Sequence, residues 1–150
     1  MQVADILAFK GSMVITIKPS ESVGTLSKLL RDKRIGAAIV SHDGRTLDGV
    51  ISERDIAYGL SIHEGDLHAL PVSALMTKAV ITCSPGDDVA KVASTMLSRN
   101  IRHIPVAGGD RLVGMISIRD VLKVRLDELQ RETAQLRSLA SQAEREPQDR

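Results

Sequence analysis

Aromatic side chains are nearly missing from this sequence. Phe9 and Tyr58 are its only two, and there is no Trp. The stacking platforms that hold single-stranded nucleic acid are therefore excluded. The core must be built from Ile, Val, Leu, Met and Ala. Cysteine is equally scarce. Cys83 stands alone, which permits no internal disulfide and no all-cysteine metal site, and points to a reducing, cytoplasmic setting. Neither sign of charge dominates. The 20 Lys and Arg face 19 Asp and Glu, for a net charge of +1, so nucleic acid held by a basic surplus is not expected. No apolar run reaches the roughly 18 residues of a transmembrane helix. The stretch Met1–Lys10 lacks the basic start and apolar run of a secretory signal.

Catalytic signatures are absent as well. The sequence holds no G-x-S-x-G, H-E-x-x-H, phosphate-loop or G-x-G-x-x-G pattern. Among the four His, only His63 and His68, with Glu64 and Asp66 near them, have even loose metal-ligand spacing. A polar surface linker explains that group more economically. Cys83 has no base nearby in sequence and reads as a buried, inert thiol. No enzyme activity is expected.

What is present is a repeat. Val14-Ile15-Thr16-Ile17-Lys18-Pro19 matches Val80-Ile81-Thr82-Cys83-Ser84-Pro85, and after a one-residue gap Gly49-Val50-Ile51-Ser52-Glu53-Arg54-Asp55 matches Gly114-Met115-Ile116-Ser117-Ile118-Arg119-Asp120. Each copy opens on a short β-rich piece, Val14–Ile17 or Val80–Cys83, stopped by a Pro that cannot donate to a ladder. Ser20 or Asp87 then suits a helix cap, with acidic residues near the positive helix end. Apolar spacing predicts a helix through Val23, Leu26, Leu29 and Leu30, and another through Val89, Val92, Ala93, Met96 and Leu97. Two strands follow in each copy, Ala37–Val40 with Gly49–Ile51, and His103–Val106 with Leu112–Ile116. His42-Asp43-Gly44 and Gly108-Gly109-Asp110 suit the turns between them. A second helix starts near Arg54 and again near Arg119. The result is an α+β fold of two β-α-β-β-α units packed sheet to sheet. The expected organisation is 3–60 for the first unit with a helical N-terminal segment closed by Gly11, 61–74 for a linker, 75–125 for the second unit, and 126–150 for a helical tail.

That tail carries Leu122, Leu126, Leu129, Thr133, Leu136, Ala140 and Ala143, alternately four and three residues apart. This is a heptad seam. It either lies along its own domain or pairs with a second subunit, and its length favours pairing. Pro147 predicts fraying over Glu144–Arg150.

The chemistry concentrates in the duplicated Gly-x-Ile-Ser-x-Arg-Asp. A strand ends at the Ser and a helix begins, so backbone N–H groups and a hydroxyl converge where anions are favoured. The Asp three residues on can cap the turn or accept hydrogen bonds from a ribose diol. The Arg can meet a phosphate with its planar fork. Capping alone would explain one copy; recurrence in register favours a ligand. Arg102-His103-Ile104-Pro105-Val106 adds charge beside the second copy, where the first has Gly36-Ala37-Ala38-Ile39-Val40.

Together with Leu75-Met76-Thr77, these motifs resemble the tandem CBS domain pair, or Bateman module, over about residues 3–125. The likeness is to a stand-alone bacterial member. It implies pseudo-twofold symmetry, two clefts, and adenosine-containing ligands: AMP, ADP, ATP, NAD(H) or S-adenosylmethionine. By resemblance, one cleft uses Ser52, Arg54 and Asp55 with Ile81, Thr82, Arg102, His103 and Pro105. The other uses Ser117, Arg119 and Asp120 with Ile15, Thr16, Gly36 and Ala37. The Asp would hold the ribose, strand backbone the adenine edge, and the Arg residues and His103 the phosphates. Ile39 and Gly36-Ala37 depart from the pattern, so the Asp55 cleft is expected to favour phosphate more. The family also implies a homodimer and a regulated partner protein. A protein-only scaffold acting through the tail helix is the rival reading, and a nucleic-acid binder is disfavoured.

Overall fold

The computed structural model describes residues 1–11, 13–109 and 111–145. Ten regular elements follow in order: α1 (Val3–Lys10), β1 (Thr16–Ile17), α2 (Val23–Lys33), β2 (Ala37–Val40), β3 (Gly49–Ser52), α3 (Glu53–Ile62), α4 (Val89–Arg99), β4 (His103–Gly108), β5 (Arg111–Ser117) and α5 (Ile118–Arg145). Two short 3-10 turns, Leu67–Ala69 and Val72–Ala74, precede α4. The α+β architecture and the doubled unit expected from the sequence are both present.

In the first unit β1 lies parallel to β2, and β2 antiparallel to β3. In the second, β4 and β5 form an antiparallel pair with a bulge at Val106/Ala107. The expected opening strand Val80–Cys83 is not formed there. Cys83 makes one parallel bridge to Val106, because Pro85 follows two residues later and cannot continue a ladder. The thiol is buried, and burial, with Asp87 nearby, pushes its pKa up to about 11. It is therefore un-ionised near neutral pH.

Local chemistry sets the helix ends. The caps of α2 and α4 are Ser22 and Asp88, rather than Ser20 and Asp87, and neither first turn contains an acidic residue. Asp87 closes the preceding turn instead, its carboxylate accepting from the Ser84 N–H at 2.8 Å. Both helices end in a left-handed residue, Arg34 (φ 53°) and Asn100 (φ 52°). Gly11 (φ 87°) closes α1 as expected. Leu97, expected on the buried face of α4, is 77% exposed, while its neighbour Met96 fills the core. The turn at Asp43 is a longer loop in which its carboxylate accepts from the Arg45 and Thr46 N–H groups at 2.8 and 2.7 Å. In the other predicted turn, Asp110 lies outside the described residues.

Two apolar cores result. Ile17, Leu26, Leu30, Ala38, Val40, Ile51 and Val72 form the first. The second joins Val3, Ile6 and Leu7 to Cys83, Val89, Val92, Met96, Ile104, Val106, Ile116 and Val121. The units have thus exchanged their leading segments. Helix α1 packs on the second unit, and Val72, in the segment expected to be a linker, is fully buried in the first. Backbone bonds repeat the exchange. Val3 N–H donates to Asp87 O and Val89 N–H to Met1 O, while Val72 N–H donates to Glu21 O and Val23 N–H to Leu70 O. Helix α1 leads residues 3–60 in sequence yet packs on the other core, because sequence adjacency does not reveal which core completes an apolar face. Gly114 shows how closely α1 approaches: a Cβ there would stand 2.8 Å from Leu7 Cδ2. Ala37 and Ile39 are buried although they point away from their own core, as a meeting of the two sheets requires.

Candidate functional site

The two strand-to-helix junctions are built alike. Ser52 caps α3. Its N–H and Oγ–H donate to Asp55 Oδ2 at 2.8 and 3.1 Å, and Asp55 N–H donates back to Ser52 Oγ at 3.4 Å. At α5, Ser117 N–H donates to Asp120 Oδ2 at 2.9 Å and Asp120 N–H to Ser117 Oγ at 3.2 Å. The Ser and Asp therefore do form capping boxes. In both, the cap engages Oδ2, and among the described residues Oδ1 carries no hydrogen bond. Each Asp can hold its helix and still accept from a ligand. The preceding strands match too. Glu53 N–H donates to Gly36 O at 2.9 Å, and Ile118 N–H to Arg102 O at 2.8 Å.

Each junction borders a cavity that mixes the two units. The first, about 310 Å³, gathers Ser52, Arg54, Asp55, Ile81, Arg102 and His103. The second, about 470 Å³, gathers Ile15, Gly36, Ala37, Ser117, Arg119 and Asp120. Three expected residues lie off these walls. Thr82 and Thr16 alternate with Ile81 and Ile15 along extended chain, so they turn the other way; Thr16 borders a separate surface hollow with Lys18 and Asp43. Pro105 is buried within β4, its carbonyl accepting from Cys83 N–H at 3.0 Å.

Charge is arranged differently from the sequence expectation. Gly36, Glu53, Arg102 and His103 border both cavities, so the basic pair is not the property of the Asp55 side. A Cβ at Gly36 would sit 3.3 Å from both Glu53 Oε1 and His103 Cε1, which keeps this shared wall thin. Arg54 is partly committed, since its Nη1 donates to the Asn100 carbonyl at 2.8 Å. That bond ties α3 to the C-terminal end of α4, where the helix dipole favours a cation. Lys10 and Arg34 enter the second cavity unforeseen. Lys10 comes from α1, which precedes the first unit in sequence but packs on the second. The one available signal for Arg34 was its match to Asn100 at the helix end.

Burial first, then the nearby Lys10, lowers the His103 pKa against the opposing pull of Glu53 and Asp120, so the ring is neutral at pH 7. Burial disfavours the charged form of Asp120, but hydrogen bonds from Lys10 and Ser117 outweigh it and hold the carboxyl below its usual range. Among the described residues, no cluster of three or more His, Cys, Asp or Glu is placed to hold a metal ion, His63 and His68 included. No described helix is long and apolar enough to cross a membrane.

The family model described as CBS domain matches twice, at residues 4–61 and 72–127. The chain belongs to the CBS-domain family. The sequence resemblance to a tandem pair is thereby established, and the solved relatives agree. A CBS-domain protein from Agrobacterium tumefaciens is 33% identical, with a TM-score of 0.80 covering 83% of this chain and 99% of that one. The CBS pair of protein MJ0100, solved with 5′-methylthioadenosine and S-adenosyl-L-methionine, is 26% identical, with a TM-score of 0.75 over 85% and 98% of the two chains. A CBS-domain protein from Pyrobaculum aerophilum, complexed with AMP, is also 26% identical, with a TM-score of 0.69 over 80% and 89%.

Proposed function

We propose that this CBS pair is a non-catalytic regulatory module that binds an adenosine-containing ligand, such as AMP, ADP, ATP or NAD(H), in its interdomain clefts. The observation that carries this reading is the paired Ser-x-x-Asp cap, which leaves one carboxylate oxygen available beside a cavity walled by both repeats. A carboxylate so placed accepts from the two hydroxyls of a ribose. The adenosyl ligands bound by the CBS pair of MJ0100 and by the Pyrobaculum aerophilum protein support the same chemistry. Ligand spanning the clefts would favour one packing of the two repeats over another and so bias a partner protein's docking surface. Mass spectrometry of small molecules released from freshly purified protein, followed by titration of the compound found, tests this. Recovery of an adenosyl compound binding at micromolar strength or better is expected. An empty protein that ignores AMP, ATP, NAD(H) and S-adenosylmethionine would refute the reading.

The homodimer that this reading includes would use α5. Its 28 residues extend about 42 Å at 1.5 Å each. Leu122, Leu126, Leu129 and Leu136 lie 55–67% exposed along it. Their occupant on this reading is the α5 helix of a second copy. A parallel pairing would set Glu132 against Arg137 across the seam, the flanking charge match such pairs use. Sedimentation equilibrium is expected to show a dimer that Leu129→Glu converts to a folded monomer. A monomeric unaltered protein would exclude this pairing.

A further inference from the structure

The two clefts differ in charge in a way the repeat pattern does not foretell. Arg54 and Arg102 face Glu53 and Asp55 across the first, so its charges balance. Around the second stand Lys10, Arg34, Arg102 and Arg119 against only Glu53 and Asp120. We infer that the second cleft is selective for a polyanionic adenine nucleotide, a di- or triphosphate, and that Lys10 and Arg34 set this selectivity. The inference rests on the adenosyl-ligand reading and goes beyond it by assigning a ligand class to one cleft.

Lys10 supplies the mechanism. Its Nζ donates to Asp120 Oδ2 and to the Met115 carbonyl, at 2.8 and 2.9 Å. In the other repeat the equivalent carbonyl, that of Val50, accepts the backbone N–H of Thr77 at 2.9 Å. A side-chain ammonium therefore stands in the second cleft where backbone stands in the first. A ribose diol on the free Oδ1 of Asp120 shares the carboxylate with Lys10, which holds Oδ2. A neutral ligand offers that ammonium no second anion. A polyphosphate does, and pairs with Lys10 through charge-assisted hydrogen bonds. Arg34 adds a second argument. It holds a left-handed φ of 53°, a conformation that Asn adopts more readily than Arg. Asn100 occupies the matching cap at φ 52°. An Arg kept at such a position brings charge to the cleft at a local backbone cost.

The probes are ATP and the uncharged 5′-methylthioadenosine, titrated calorimetrically into the full chain carrying Asp55→Ala, so that the second cleft dominates. ATP is expected to bind at least about tenfold more tightly, the scale of one charge-assisted hydrogen bond. Lys10→Met should lower that ratio about tenfold and Lys10→Arg should largely restore it. Arg34→Asn keeps a residue suited to the cap and should lower the ratio severalfold without lowering the melting temperature. Equal binding of the two probes, or a ratio that Lys10→Met leaves unchanged, overturns the charge assignment while leaving the adenosyl reading intact. Failure of both probes, and of AMP, NAD(H) and S-adenosylmethionine, to bind the unaltered protein overturns the adenosyl reading itself.

Discussion

Asp55→Ala should lower the affinity of the first cleft for its adenosyl ligand by about a hundredfold or more. The carboxylate is half-buried at the cavity edge, with Oδ2 committed to Ser52. A diol bound to the free side would make two hydrogen bonds to a charged group, worth about 1.5–3 kcal/mol each. Their loss dominates the accompanying loss of the cap, about 1 kcal/mol of stability. Titration at a temperature well below the melting midpoint separates the two effects. Asp55→Asn retains one acceptor and should fall between the unaltered protein and the Ala variant. If Asp55→Ala binds as tightly as the unaltered protein, the Ser-x-x-Asp cap is structural only and its ligand role is wrong.

Removing residues 1–10 should destabilise the second repeat, although those residues precede the first. The segment contributes Val3, Ile6 and Leu7, exposed by 0%, 3% and 8%, to the core around Ile104 and Ile116. At about 1.5–3 kcal/mol for each buried side chain, the loss is about 5–9 kcal/mol, comparable with a domain's whole stability. Hydrogen exchange is the suitable measurement. Amides of α4, β4 and β5 should lose protection while those of α2 and β2 keep more of theirs. Ile6→Ala gives a milder version, costing about 2–5 kcal/mol. Loss of protection confined to α2 and β2 would contradict the exchanged packing.

Much of the site was legible because its chemistry is local. Ser52 and Asp55 are three residues apart, and so are Ser117 and Asp120, which is the spacing of a reciprocal cap. Duplication of that spacing marked both clefts. Strand periodicity was harder to use. Ile81 and Thr82, or Ile15 and Thr16, are equally plausible on paper, and only the direction of the chain at the cleft decides which one faces in. The second repeat's missing strand has a similar origin. Val80–Cys83 has strand-forming residues, yet all but Cys83 are drawn out of the ladder.

Composition, the doubled motif and the helical spacing determined that this chain forms two α+β units with a long heptad helix behind them, because these are properties of neighbours in sequence. Tertiary structure alone decided which core α1 completes, because an apolar helix face binds whichever complementary surface reaches it. The same packing carries Lys10 to Asp120, 110 residues away, and sets Arg102 and His103 on the wall between both clefts. Charge at a site is a sum over groups brought together in space. The repeats could show where the clefts form, but the balance of charge within each arose only when the two units and their exchanged segments closed around them.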